Sequence, residues 1–248
     1  MLRLLCVTAH PDDESGGFGG TLLYYAERGV ATHVLCLTDG QAASNRGNSR
    51  GGAELGAMRR QEFAAACAIL QVQWSEIIGL PDGQLDRQPF ADVVGHIVRR
   101  IREIKPHIML TFGTEGAVTA HPDHSMASLF ATAAFHWAGR SNRYQSQIEA
   151  GLQPWRVQKL YYETLNFTLP GRQPVSPAPW TVLIEIGQER LLKKRDAFAA
   201  HTTQNPLLPL FEGALKARPP RELFHLANTV HQMPARQEAD LFEGVVEE

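Results

Sequence analysis

Short apolar runs alternate along this chain with segments whose apolar residues recur every three or four positions, the pattern of strands alternating with amphipathic helices. Residues 2–8 are apolar and stop at Ala9-His10-Pro11, which predicts a strand buried on both faces and then a loop. Residues 21–27 read as a helix closed by Arg28-Gly29, and the β-branched run 31–38 as a second strand broken by Asp39-Gly40. Leu55, Met58, Phe63, Cys67 and Leu70 fall at helical spacing within 53–70, and a third strand is predicted over 74–78, before the turn Pro81-Asp82-Gly83. Val93, Val94, Ile97 and Ile101 mark a helix over 90–103, and Pro106 introduces an apolar strand over 107–112. The alanine-rich stretch 125–138 predicts a helix with His124 in or near its first turn. Beyond it the rhythm loosens: strands are expected over 160–164 and 181–186, a helix over 188–200 and a proline-rich connection over 173–179. Residues 41–52 have no periodicity and read as a mobile loop on the side of the first strand's carboxyl end.

Regular alternation from residue 2 to about 139 predicts an α/β fold, a Rossmann-like doubly wound and mostly parallel sheet with right-handed crossovers. One domain over 1–248 is expected, with 1–139 as its core and 140–248 as a C-terminal elaboration that shapes the substrate pocket. If the strand order is 3-2-1-4-5, strands 1 and 4 are neighbours at the topological switch point, where ligands bind outside the carboxyl ends. The loops at those two ends carry His10 and His121, far apart in the chain.

Composition narrows the partner. A formal charge of -2 gives no field of one sign, so neither nucleic acid nor an anionic membrane has an electrostatic footprint, and a small-molecule partner is expected. Homo-oligomerisation stays open. Cys6, Cys36 and Cys67 lie apart within apolar stretches, which suits buried thiols in a reducing compartment; with no signal-peptide run and no spanning segment, a cytoplasmic location is expected. The glycines Gly16-Gly17-Phe18-Gly19-Gly20 do not give a dinucleotide fingerprint, and the carboxylates before them would repel a pyrophosphate.

His10-Pro11-Asp12-Asp13-Glu14 sets an imidazole beside three carboxylates, a repulsive cluster that a cation would compensate. His10 and Asp13 can converge in a tight loop, and His124 from the second loop completes a His2Asp set with one tetrahedral position open, a catalytic zinc pattern; Fe2+ or another divalent ion is the alternative. An unligated carboxylate beside the metal would take a proton from water, and spacing alone leaves open which of Asp12 and Asp13 does so. His121 is the candidate electrophile, as an imidazolium that stabilises an oxyanion or protonates the leaving amine, with Asp123 to orient it.

Ala9-His10-Pro11-Asp12-Asp13-Glu14 with Gly19-Gly20, Leu37-Thr38-Asp39-Gly40, Arg59 with Glu62, and His121-Pro122-Asp123-His124 together resemble the LmbE-like (PIG-L-like) N-deacetylases over residues 2–139. The resemblance returns weakly at His201-Thr202-Thr203-Gln204. It implies zinc on His10, Asp13 and His124, Asp12 as general base, and His121 as electrophile supported by Asp123. It further implies that Arg59 and Asp82 hold the sugar of the substrate, and it makes His201 a candidate pocket residue. The implied reaction is hydrolysis of an N-acetyl group from a GlcNAc-type conjugate, or of the amide of a thiol-sugar conjugate; a non-catalytic metal- or sugar-binding relative is the rival. Some relatives carry an assisting tyrosine where this chain has Thr119, with Tyr161 and Tyr162 as the nearest substitutes to consider.

Overall fold

The computed structural model describes residues 1–165, 168, 173–231 and 236–247. Seven strands form one sheet: β1 (Arg3–Thr8), β2 (Ala31–Thr38), β3 (Trp74–Leu80), β4 (Ile108–Phe112), β5 (Lys159–Glu163), β6 (Val182–Glu185) and β7 (Arg221–Thr229), in the order β3-β2-β1-β4-β5-β7-β6. The first five strands pair in parallel, and β7 runs antiparallel to both β5 and β6. The helices are α1 (Asp13–Gly16), α2 (Gly19–Ala26), α3 (Gly52–Ile69), α4 (Phe90–Ile104), α5 (Pro122–Ala138), α6 (Gln145–Glu149), α7 (Gly187–Ala199) and α8 (Leu208–Lys216).

The expected 3-2-1-4-5 order is observed, and its cause is visible in the chain: every residue of β2 and all but Arg3 of β1 are buried, as central strands covered on both faces must be. Around them α4 presents Val93, Val94, Ile97, Val98 and Ile101 to the core and packs on α5. Arg102, buried at the same helix end, donates to the carbonyls of Ala138, Arg140 and Arg143, which ties the exit of α5 to α4. Cys6, Cys36 and Cys67 are free and buried. Among the described residues no helix is long and apolar enough to cross a membrane.

β7 and α8 lay outside the sequence expectation. β7 closes the C-terminal part onto β5, where buried Lys159 meets Glu238 at 2.6 Å and the Tyr161 hydroxyl donates to the same carboxylate at 2.6 Å. The hydroxyl of Tyr162 lies 2.7 Å from that of Thr132. Both tyrosines are thus committed away from the His10 and His124 loops, and neither stands in at Thr119.

Candidate active site

β1 and β4 are adjacent, so the loops at their carboxyl ends meet. In the first loop the backbone N–H groups of Ala9 and His10 donate to Asp13 Oδ2 at 3.1 and 2.7 Å, which fixes that carboxylate at the start of α1. Its other oxygen lies 3.1 Å from His124 Nε2, and its Oδ2 lies 3.6 Å from His10 Nδ1. The second loop bends at Gly116, whose φ of 85° favours glycine and where a Cβ would come within 2.7 Å of the His121 carbonyl. That bend brings the Gly116 carbonyl to 3.2 Å from His124 Nδ1, while the imidazole stacks on Phe112 with ring centroids 4.2 Å apart. A proton on Nδ1 leaves Nε2 as the free donor atom facing Asp13.

His10 is held from the opposite nitrogen. Its Nε2 lies 3.1 Å from Asp82 Oδ1 and 3.3 Å from Asp123 Oδ2, which leaves Nδ1 toward Asp13. Burial pushes the imidazole pKa down, but hydrogen bonds with Asp123, Asp13 and Asp82 outweigh it and raise the pKa well above the ordinary value. Ligand atoms of His10, His121 and His124 lie within 4.8 Å of one another, and those of His10, Asp82 and Asp123 form a second such group. The first group faces the same space as Asp13; in the second, both carboxylates contact the Nε2 side of His10 and act as its supports. The residues therefore fit a divalent metal at His10 Nδ1, an Asp13 oxygen and His124 Nε2, because each imidazole has its other nitrogen occupied.

Asp12 sits between Pro11 and Asp13 with φ 116° and ψ -25°, a backbone conformation that L residues seldom adopt. The backbone N–H of Asp12 donates to Glu14 Oε2 at 2.9 Å, and Glu14, fully buried, lies 2.7 Å from His201 Nε2 through its other oxygen. Burial raises the Asp12 pKa to about 6, with Arg59 opposing and Asp13 reinforcing the shift.

The other expected residues take the following places in this geometry. The Asp123 carboxylate does not touch the His121 ring: it accepts from the N–H groups of Gly83 (2.7 Å) and Leu85 (3.1 Å) and supports His10. Contact between Asp123 and His121 runs the other way, with the Asp123 N–H donating to His121 Nδ1 at 3.1 Å. His121 Nδ1 thus accepts a hydrogen bond, and burial together with His10 and His124 lowers the pKa of the ring. Arg59 is buried and spends its guanidinium on the Gly40 and Pro11 carbonyls and, at 3.0 Å, on Asp12 Oδ2. Asp82 is divided between His10 and the Ala42 N–H. Both are engaged within the protein, although Arg59 Nε has no hydrogen-bond partner among the described residues. His201 lies fully buried, with its Nε2 2.7 Å from Glu14 Oε1.

Glu222 was missed. From β7 it accepts from the Gly20 and Thr21 N–H groups at 3.0 and 2.8 Å and pairs with Lys194 at 2.5 Å. An internal carboxylate thus occupies the amides that open α2, where a dinucleotide pyrophosphate would have to bind. Its only sequence signal was a glutamate in a segment with no helical period. The remaining histidines, His33, His96, His107, His136, His225 and His231, lie outside this constellation.

Residues 5–135 match the family described as GlcNAc-PI de-N-acetylase. The 1D-myo-inositol 2-acetamido-2-deoxy-alpha-D-glucopyranoside deacetylase of Rhodococcus erythropolis is 30% identical, over 84% of this chain and 82% of its own. The mycothiol S-conjugate amidase of Streptomyces coelicolor is 31% identical, over 86% and 78%. Among solved structures, N,N'-diacetylchitobiose deacetylase from Pyrococcus horikoshii superposes with a TM-score of 0.76 at 21% identity, covering 90% of this chain and 83% of that one, a likeness of fold.

Proposed function

The chain belongs to the GlcNAc-PI de-N-acetylase family, and from that premise we propose that it hydrolyses the N-acetyl amide of a GlcNAc-type conjugate with zinc as its metal. The observation that carries this reading is the convergence of His10 Nδ1, Asp13 and His124 Nε2, each ring fixed by its other nitrogen, beside a carboxylate that is not needed to hold the metal. The set is two imidazoles and a carboxylate, which suits zinc and also accepts ferrous iron. Zinc held there supplies Lewis-acid activation of water and of the amide carbonyl. Asp12 takes the proton as the water oxygen attacks the carbonyl carbon, and its backbone strain with Arg59 fixes the carboxylate for that task. His121 Nε2–H donates to the developing oxyanion, and Asp12 returns the proton to nitrogen as the C–N bond breaks, giving acetate and an amine. Asp123 and Asp82 keep His10 in its ligating tautomer rather than touching substrate.

The Streptomyces coelicolor relative supports a second reading, in which the same chemistry opens the amide of a thiol-sugar conjugate. Three free, buried thiols suit a reducing compartment, and we place the protein in the cytoplasm on that basis.

Amine release from N-acetylglucosamine conjugates and thiol-sugar amides, by protein of measured metal content, separates the readings. Zinc-loaded protein that leaves both panels intact overturns the function. Asp12→Ala is expected to keep its metal and lose about 10²–10⁴-fold in kcat, whereas His10→Ala and Asp13→Ala lose metal. An Asp12→Ala protein without metal would reverse the assignment of the two aspartates.

A further inference from the structure

His201, Thr202, Thr203 and Gln204 follow α7, far along the chain from the first loop, and their side chains are spent on the elements that surround Asp12. His201 is fully buried and its Nε2 lies 2.7 Å from Glu14 Oε1. Among the described residues its Nδ1 has no hydrogen-bond partner, so the hydrogen bonding of the ring is directed at Glu14. A buried ring with one unsatisfied nitrogen is costly, and an apolar side chain would fill the same space without that cost. The contact that the other nitrogen makes is therefore the reason to look for a role.

Glu14 is itself fully buried. Its Oε1 also accepts from the Ser15 hydroxyl at 2.7 Å, and its Oε2 accepts from the Asp12 N–H at 2.9 Å. That amide belongs to the residue with φ 116°, a conformation that persists only where surrounding contacts impose it. A buried carboxyl keeps its place when its own oxygens are satisfied, and His201 satisfies the one that does not face the Asp12 amide. The next two residues reach the side chain of Asp12 by another route. Thr202 Oγ1 and the Thr203 N–H donate to Glu62 Oε1 at 2.6 and 2.8 Å, and Thr203 Oγ1 donates to Glu62 Oε2 at 2.7 Å. Glu62 stands one turn beyond Arg59 on α3, and Arg59 holds Asp12 Oδ2 at 3.0 Å. Gln204 Nε2 donates to the Asn45 carbonyl at 3.1 Å, which ties the 41–52 loop to the same segment.

We propose that His201 is a positioning residue for the general base: through Glu14 it holds the Asp12 backbone in the conformation from which the carboxylate takes a proton from water. The inference rests on the deacetylase reading, which makes Asp12 that base.

Asparagine and glutamine carry the same amide, but only glutamine is long enough to place its nitrogen where His201 Nε2 stands. His201→Asn is expected to lower kcat by about 10–100-fold, with KM and zinc content unchanged, and His201→Gln to restore most of the loss. Amide hydrogen exchange separates this from a merely structural role. In His201→Asn the Asp12 N–H, deprived of a fixed acceptor, is expected to exchange about 10–100-fold faster, the scale of a hydrogen bond to a charged group. The Ala9 and His10 amides, which donate to Asp13, keep the parent's rates, and His201→Gln keeps them at all three positions. Equal kcat in the two variants overturns the proposal, as does a fall in kcat with exchange at Asp12 unchanged. Loss of zinc in step with rate, or faster exchange at all three amides in both variants, marks general loosening and overturns it too. Zinc-loaded parent protein that hydrolyses no conjugate overturns the deacetylase reading instead, and the exchange rates at Asp12 still decide whether the hold on its backbone exists.

Discussion

Side chains at this site are assigned by what their far ends touch. Arg59 shows the difference between motif and contact: resemblance implied a hand on the sugar, whereas its guanidinium is spent on Asp12 and two carbonyls. Arg59→Met is therefore expected to lower kcat by about 10–100-fold, the scale of losing a partner that orients a reactive group, with KM little changed; a rise in KM at constant kcat would restore the sugar-holding role. The convergence of His10, Asp13 and His124 was legible, because two neighbouring strand ends present these residues. The partner of Asp123 was not, since Gly83 and Leu85 reach it from the turn after β3 and no spacing in the chain announces that approach. Glu163 carries a pH signature. Burial raises its pKa from 4.5 to about 8, against the attraction of Lys194 and with repulsion from Glu222. Between those values the native state holds a proton that the unfolded chain has released, so this group makes stability fall as pH rises through the window, and contributes no slope outside it. Glu163→Gln removes that decline. Its midpoint in urea should gain on the parent's between pH 5 and pH 8, and an unchanged difference would refute the shift.

Among the elements, those with one strong period were foreseen and those built by tertiary pairing were not. α4 and β2 announce themselves, one by a single apolar stripe and the other by an unbroken apolar run. β7 mixes Glu222, Leu223, Phe224 and His225 without clean alternation, because it is an antiparallel return between β5 and β6 and its faces meet different neighbours. α8 follows Pro206 and contains Pro209, and its apolar residues face a cavity instead of the core. The buried pair of Lys159 and Glu238 joins β5 to the C-terminal segment. Glu238→Ala leaves the ammonium of Lys159 buried without its counter-charge and is expected to cost about 3–5 kcal/mol, seen in thermal or urea unfolding; a loss below about 1 kcal/mol, the scale of an exposed pair, would show that water reaches Lys159.

For the molecule as a whole, topology delivered the site. The order β3-β2-β1-β4-β5 follows from the alternation of strands and helices, and it sets the His10 and His121 loops side by side before either is given a chemical role. What the alternation did not reveal is the second half of the enclosure, formed by β7, α7 and α8 around the cavity. Within that frame the backbone of Asp12, with φ 116°, has a further meaning. Alanine and glycine at this position both delete the carboxylate and differ mainly in strain, so Asp12→Gly should unfold at higher denaturant than Asp12→Ala, by about 1–3 kcal/mol, with kcat lowered alike in both. Equal midpoints would show that the conformation is not strained. The hereditary consequence is an asymmetry: a descendant freed from the need for turnover reaches a more relaxed fold through glycine than through alanine, so decay of the catalyst has a preferred first step, written in the backbone rather than in the chemistry.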